Sequence, residues 1–530
     1  MKNLYNLLQD VLAAIENRLK DEINVELIAD EFDISTRHLH RLFKLAFNLL
    51  PGVYIRSRKL AASIDDLLNT DLNVLDIALD YGFGYEQSYI RSFKLEYGIT
   101  PGELRKTKEI LKIILITPPL NQFDSEKYSN GLRLRREMVT IQKRHFDEVV
   151  EIINNYFKPT HKNVSIKTNL IPTYKSPDKL DTVLGSGQGL PDVIALESTF
   201  VRKYVESGQL LDLTDIYESN KDKLLAYPVE IGTYNGRVYA LSLQACPGAM
   251  FYRRSLARKY LGTDDPGAVQ NYFSTINTFL ETAMLIKEKS GGSCVVVPGV
   301  EGLYIPFMSA RLSPWIVDGK LVIDQTVDVY LNLCKTLNDN GLQAGIYNGH
   351  EEWFAGMKGE AKNREGKPTE IFSYFLPTWG LHFLLKPNAG KTNGDWALIP
   401  GPVSYIWGGT WFGVYKGTNY PDTAKEFVRY LTTDDVFLEK YAKDSGDFVS
   451  NTAVINKIKE NYTEPFLGNQ NHYTEFSKMT QNVNGKLVQG TDCIIRNIFT
   501  KELMPYVWGE KSKKQALNDF RTQVNAQLGV

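Results

Sequence analysis

Cysteine is scarce. The four in 530 residues, Cys246, Cys294, Cys334 and Cys493, lie too far apart for a metal knuckle or a redox pair. That spacing requires no disulfide scaffold and is compatible with a reducing compartment. A surplus of charge of either sign is missing too. With 61 Lys and Arg against 62 Asp and Glu, bulk electrostatics cannot drive nucleic-acid binding, and any such contact must rest on a local patch. Long apolar runs are absent: IILIT at 113–117 falls far short of the roughly 18 residues that cross a bilayer. The opening MKNLYNLLQDVLAAIENRLKDE carries Asp10 and Glu16 where a secretion signal is uncharged, so it predicts an amphipathic helix. These absences predict a cytoplasmic chain without membrane insertion. No repeat with a period of 20–50 residues is present.

What is there is ordinary globular composition, 43% hydrophobic and 12% aromatic, in a chain long enough for several folding units. Its texture changes along the length. Up to about residue 108, apolar residues recur at three and four, and β-branched runs are missing, which predicts an all-helical domain. Residues 109–136 hold Pro118-Pro119, Asn130-Gly131 and the basic cluster Arg133, Arg135 and Arg136, and are assigned to a linker. From residue 137 to 530, short β-type runs (VTIQ, VSIKTNLI, PDVIALE, CVVVPG) alternate with amphipathic segments (HFDEVVEIINNYF, DTAKEFVRYLTT). This is the pattern of βαβ units, in a length that favours two lobes.

Within the helical domain, VELIADEFDISTRHLHRLFKLA (25–46) gives one inward stripe at Leu27, Ile28 and Phe32 and another at Leu39, Leu42 and Phe43, with a break at Asp33–Ser35. Ser35 is placed to cap the second helix, whose outer face then carries Thr36, Arg37, His40, Arg41 and Lys44. The arrangement is that of a helix-turn-helix whose second helix enters a major groove. The same architecture returns. Val74, Ile77, Ala78 and Leu79 mark a helix, Tyr81–Gly84 a turn, and Tyr89, Ile90, Phe93 and Tyr97 the inner side of a further helix that exposes Glu86, Gln87, Arg91 and Lys94. Residues 1–110 hold 14 basic and 17 acidic side chains. No acid occurs between Ile34 and Ile64, however, while Arg37, Arg41, Lys44, Arg56, Arg58 and Lys59 all do, concentrating positive potential where phosphates approach.

The segment YIRSRKLAASIDDLLNTDLNVLDIALDYGFGYEQSYIRSFKLEYGITPGELR (54–105) resembles the DNA-binding domain of AraC/XylS-type transcription regulators, in particular the subgroup of MarA and Rob. The resemblance spans about 100 residues. It implies two helix-turn-helix units joined by a connecting helix, here Lys59–Asn69, with recognition helices at Thr36–Lys44 and Glu86–Tyr97 that read adjacent major grooves of promoter DNA. Carried over by position, the DNA-contacting set is Ser35, Thr36, Arg37, His40, Arg41 and Lys44, then Arg58, then Tyr85, Glu86, Gln87, Arg91 and Lys94. The chain departs from the family at Asn48, where glycine is usual, and at Ile90, where a small polar residue is commoner.

In the larger part three stretches stand out. GSGQGLPDVIALESTFVRKYVESGQLLDLTDIYE (185–218) combines a glycine loop, a strand and a helix, without the Lys-Ser/Thr of a phosphate cradle. NGRVYALSLQACPGAMFYRRSLARKYLG (235–262) reads as paired strands running into a helix, and GDWALIPGPVSYIWGGTWFGVYKGTNYPDTAKEFVRYL (394–431) gathers Trp396, Tyr405, Trp407 and Trp411 around glycines. Together they resemble family 1 extracellular solute-binding proteins of ABC importers, the sugar-binding kind. The resemblance implies a two-lobed α/β, type 2 periplasmic-binding-protein-like domain that closes on its ligand. The chain would cross between lobes near VYALSLQ–AMFYRR and near Trp407-Gly408-Gly409. Stacking a sugar on an indole buries its C–H face while hydroxyls bond carboxylates and amides. The expected ligand set is therefore Trp353, Trp379, Tyr405, Trp407 and Trp411 with Asp192, Glu197 and Gln244, leaving Trp315 and Trp508 to packing.

Other chemistry finds little support. His38 and His40 sit two apart on a helix and face different sides, and His145, His161, His350, His382 and His472 are scattered, so no metal site is expected. No GxSxG, HExxH, Walker or dinucleotide motif occurs, and no catalytic residue or cofactor is assigned. The sequence therefore predicts a multidomain, non-enzymatic regulator whose partners are promoter DNA, a small saccharide-like solute and RNA polymerase. The alternative is a transport-type binding protein with a vestigial DNA-binding N-terminus.

Overall fold

The structure is a computed structural model that describes residues 11–12, 14–15, 17–21, 23–47, 50–97, 100–107, 110–117, 157, 165–172, 180–181, 184 and 190–530. The N-terminal unit contains the helices α1 (Val25–Glu31), α2 (Thr36–Phe47), α3 (Pro51–Asn69), α4 (Val74–Asp80), α5 (Glu86–Tyr97) and α6 (Pro101–Thr107). The two short helices start alike: Asn24 and Asn73 accept the backbone N–H of Leu27 and Asp76, each at 2.8 Å. Their seven-residue length keeps the buried stripe narrow, at Ile28-Ala29 and Ile77-Ala78. Leu27, expected inside, is consequently 46% exposed, and Leu79 is 52% exposed. The connecting helix begins at Pro51 rather than Lys59, because proline is pre-set for the first helical turn. It is bolted to both neighbours. Ser63 Oγ and Tyr89 Oη lie 2.8 Å apart, and Arg105 Nε donates to the Leu67 carbonyl at 3.0 Å.

The linker assignment needs correction at its start. Ile110–Thr117 is strand β1, whose apolar, β-branched sequence ILKIILIT suits a buried parallel strand. It pairs in parallel with β2 (Ser165–Pro172) and β3 (Val193–Glu197). Residues 118–136 of that linker, the strand VTIQ, the glycine loop 185–189, and the helix expected at 145–157 apart from Phe157 lie outside the described residues.

Besides short two-residue strands, the two larger sheets are completed by β4 (Ala240–Ser242), β5 (Gly248–Arg253), β6 (Ser373–Pro377), β7 (Trp396–Ile399) and β8 (Thr410–Val414). The first sheet has the order β2-β1-β3-β8-β4, while β6-β5-β7 form an antiparallel sheet of three. The chain thus leaves the first sheet through residues 243–247 and returns through 400–409, the two crossings expected from the sequence. In the three-stranded sheet side chains alternate between two cores. Phe251, Tyr374, Leu376, Trp396 and Leu398 face one, which also holds β3 and β8. Met250, Tyr252, Phe375, Ala397 and Ile399 face the other. That second core is built with helices α7 (Tyr304–Ser309), α8 (Gln325–Asp339), α11 (Asp492–Val507) and α12 (Lys513–Leu528), and the first with α9 (Asp435–Ser445) and α10 (His472–Met479). Residues 480–491 carry the chain across a third time.

Candidate functional site

Two places carry chemistry. In the N-terminal unit, Ser35 Oγ accepts the His38 N–H at 3.1 Å and starts α2, leaving Thr36, Arg37 and His40 exposed in its first two turns. The side chains of Arg41 and Lys44 lie outside the described residues. On α5, Gln87, Arg91 and Lys94 are exposed and Glu86 is half-buried, while Tyr85 just before it is 79% exposed. Both helices therefore offer polar outer faces, and Arg58 on α3 is half-buried. The basic patch is smaller than its sequence suggests. Lys59 is buried, its ammonium donating to the Asp21 carbonyl at 3.1 Å.

The second place is a cavity of about 120 Å³ where the crossings meet. Ser198 and Thr199 after β3, α7, the 406–408 segment and the start of α11 close around it. The two crossings are hydrogen-bonded to one another, Trp407 N to the Cys246 carbonyl at 3.1 Å and Gly248 N to that of Tyr405 at 2.9 Å. Trp407 lines the cavity, with Trp379 behind it: the rings meet edge-on, centroids 6.1 Å apart, and Trp379 Nε1 donates to the Trp407 carbonyl at 2.9 Å.

The same lining holds a polar group. Arg311 is almost enclosed, its guanidinium 4.8 Å above the Trp315 ring and 3.3 Å from Asp492 Oδ2. Burial pushes the Asp492 carboxyl up to about 6, against the opposing pull of Arg311. Arg311 Nε and Asp492 Oδ1 are buried without a hydrogen-bond partner, so the pair keeps one donor and one acceptor in reserve. Arg496 lies 5.2 Å over Tyr304, completing a lining of aromatic faces edged by charge.

Most of the expected ligand residues are elsewhere. Asp192 is buried and accepts from Thr418 at 2.6 Å. Glu197 is buried and holds the turn after β3, accepting from Ser198 Oγ at 2.6 Å and Thr199 N at 2.8 Å. Gln244 donates to Asp447 and accepts from Thr410 at 3.0 Å, which makes it a brace of the crossing. Trp353 packs edge-on against Tyr374, Tyr405 lends its hydroxyl to the Ala249 carbonyl at 2.9 Å, and Trp411 donates to Pro228 at 2.8 Å. All three rings are buried in the cores, and the polar atoms of Tyr405 and Trp411 already have backbone partners. Trp315, left to packing from sequence, forms part of the lining, whereas Trp508 packs against the second core. Sequence reasoning missed Tyr304, Arg311, Asp492 and Arg496. Only the spacing of Asp492 and Arg496, one helical turn apart, hinted that they share a face.

Residues 152–465 match the family described as bacterial extracellular solute-binding protein, and residues 28–107 match a helix-turn-helix domain. The probable transcription factor PqrA of Proteus vulgaris is 34% identical over 103 residues, which is 19% of this chain and 84% of PqrA. Among solved structures, an extracellular solute-binding protein of family 1 superposes with a TM-score of 0.63 at 20% identity, covering 79% of this chain and all of the other. An ABC-transporter-associated binding protein from B. animalis subsp. lactis in complex with β-1,6-galactobiose gives 0.59 at 20% identity, covering 79% and 98%. These two likenesses concern the fold. In the described residues no helix is long and apolar enough to cross a membrane. The chain belongs to the bacterial extracellular solute-binding protein family and carries at its N-terminus an AraC-type helix-turn-helix domain of the kind found in PqrA.

Proposed function

We propose that this chain is a ligand-responsive transcription regulator working in the cytoplasm: α2 and α5 read adjacent major grooves of promoter DNA, and a sugar or oligosaccharide fills the cavity beside Trp407. The observation that carries the reading is the cavity itself, whose lining combines an indole braced by a second indole with an arginine–aspartate pair that has bonding capacity left over. Indole faces suit the C–H side of a pyranose, and a spare donor and acceptor suit its hydroxyls. The neighbour solved with β-1,6-galactobiose supports the ligand class. Among the described residues Asp492 is the one carboxylate of the lining, which supports binding rather than glycosidic cleavage, since hydrolysis needs two. Ligand-driven closure would change the pose of the DNA-binding helices relative to RNA polymerase or a second protomer.

Thermal-shift measurements of the full chain against mono- and oligosaccharides test the sensor, with one class raising Tm for the wild type and not for Trp407→Ala. No shift with any saccharide rejects the ligand assignment. For the reader, Arg37→Ala with Arg41→Ala should weaken binding to a promoter fragment and flatten its salt dependence by about one unit of slope for each phosphate no longer neutralised. Undiminished binding rejects the recognition-helix assignment.

A further inference from the structure

Away from the cavity, the first core brings His382 together with Glu464 and His472, some eighty or more positions further along the chain. One ring nitrogen of His382, one of His472 and a carboxylate oxygen of Glu464 lie within 4.8 Å of one another. His472 and Glu464 are 1% and 2% exposed. His472 Nε2 sits 3.2 Å from the Gly446 carbonyl, which accepts but cannot donate, so that nitrogen carries the proton and Nδ1 presents a lone pair. Nδ1 has no hydrogen-bond partner, and neither does the buried Nε2 of His382. Two unpartnered imidazole nitrogens beside a buried carboxylate are a costly arrangement for a core unless something accepts their lone pairs.

The backbone around them is specialised. His382 lies in a five-residue π-helical turn, Leu381–Leu385, a rare conformation that recurs at functional sites. Its ring lies against Gly446, in the left-handed conformation at φ 72°, where a Cβ would come within 2.2 Å of the imidazole. Gly446 therefore makes the room for His382 and fixes the tautomer of His472 in one stroke. A histidine that donates its second N–H to a backbone carbonyl is the usual outer support of a metal ligand.

We propose that His382, His472 and Glu464 bind a single divalent transition-metal ion of the zinc type. Two imidazoles and one carboxylate form an N₂O set that suits such an ion and not the hard, oxygen-seeking Mg²⁺ or Ca²⁺. Lys386 is its built-in competitor, with its ammonium 3.0 and 3.1 Å from the two Glu464 oxygens on a side chain 35% exposed. An entering ion would release Lys386 to solvent. Gly446 precedes Asp447, which holds Gln244 of the first crossing, so the ion would stiffen the wall on which that crossing rests.

The test uses the full chain freed of metal by chelation and titrated with Zn²⁺ and Co²⁺ alone. One equivalent of Co²⁺ should bind with the intense visible bands of a low-coordinate ion, and Zn²⁺ should displace it. His382→Gln and Glu464→Gln should weaken binding at least ~10-fold, and Lys386→Met should tighten it, a direction that damage to the fold does not produce. Absence of saturable one-to-one binding, survival of binding in His382→Gln, or weaker binding in Lys386→Met would each overturn the site.

Discussion

Glu301 shows how one residue sets a pH response. Burial pushes its carboxyl up to about 7 from 4.5, with Arg364 pulling the other way. The native state thus holds a proton that the unfolded chain releases. The stability this contributes is complete below about pH 4.5 and is lost as pH rises through about 7, a change on the order of 3 kcal/mol at most. Glu301→Gln should flatten the pH dependence of urea unfolding across that window, and an unchanged slope would place the effect on another group. Asp492 belongs to the cavity, and its carboxyl at about 6 should make affinity for a hydroxyl-bearing ligand change near that pH. Titrating the ligand-induced Tm shift from pH 5 to 7 checks this, and Asp492→Asn should remove the inflection.

Among elements, the two that matter most are held by small features. The start of α2 depends on Ser35 Oγ, and Ser35→Ala should cost about 1 kcal/mol of stability in the helical unit, read from denaturant unfolding. The return crossing depends on Gly408, which sits at φ 82° with room for no Cβ: one would come within 2.7 Å of Trp379 Nε1. Gly408→Ala should cost at least ~1–2 kcal/mol from the backbone alone and displace Trp407 from the cavity, seen as loss of the tryptophan fluorescence response to ligand. The helix-turn-helix pairs were legible because both obey the 3.6-residue period and both turns carry marked residues, Asp33 and Gly82, at positive φ. β1 was hidden for a matching reason. An unbroken apolar run lacks alternation, so ILKIILIT gives no two-residue period to distinguish it from a linker's apolar patch.

At the scale of the whole molecule, the consequence is linkage between two binding events. If cavity occupancy alters the pose of α2 and α5, ligand and DNA must change each other's affinity by the same factor, typically ~5–150-fold. Promoter binding measured with and without saturating saccharide should show that factor, and saccharide binding with and without promoter should return it. Equal affinities in both states would leave two functional modules without communication. The sequence by itself determined the helical reader, the α/β receptor and their order, because periodicity, turn chemistry and the glycine–tryptophan segment are local signals. It also pointed to Trp407. Only the tertiary structure decided which of the other polar and aromatic residues face the cavity and that His382, Glu464 and His472 converge. Both are matters of long-range packing: burial turns Trp411, Tyr405 and Gln244 inward to partners distant in sequence, and no spacing along the chain encodes where separate elements will meet.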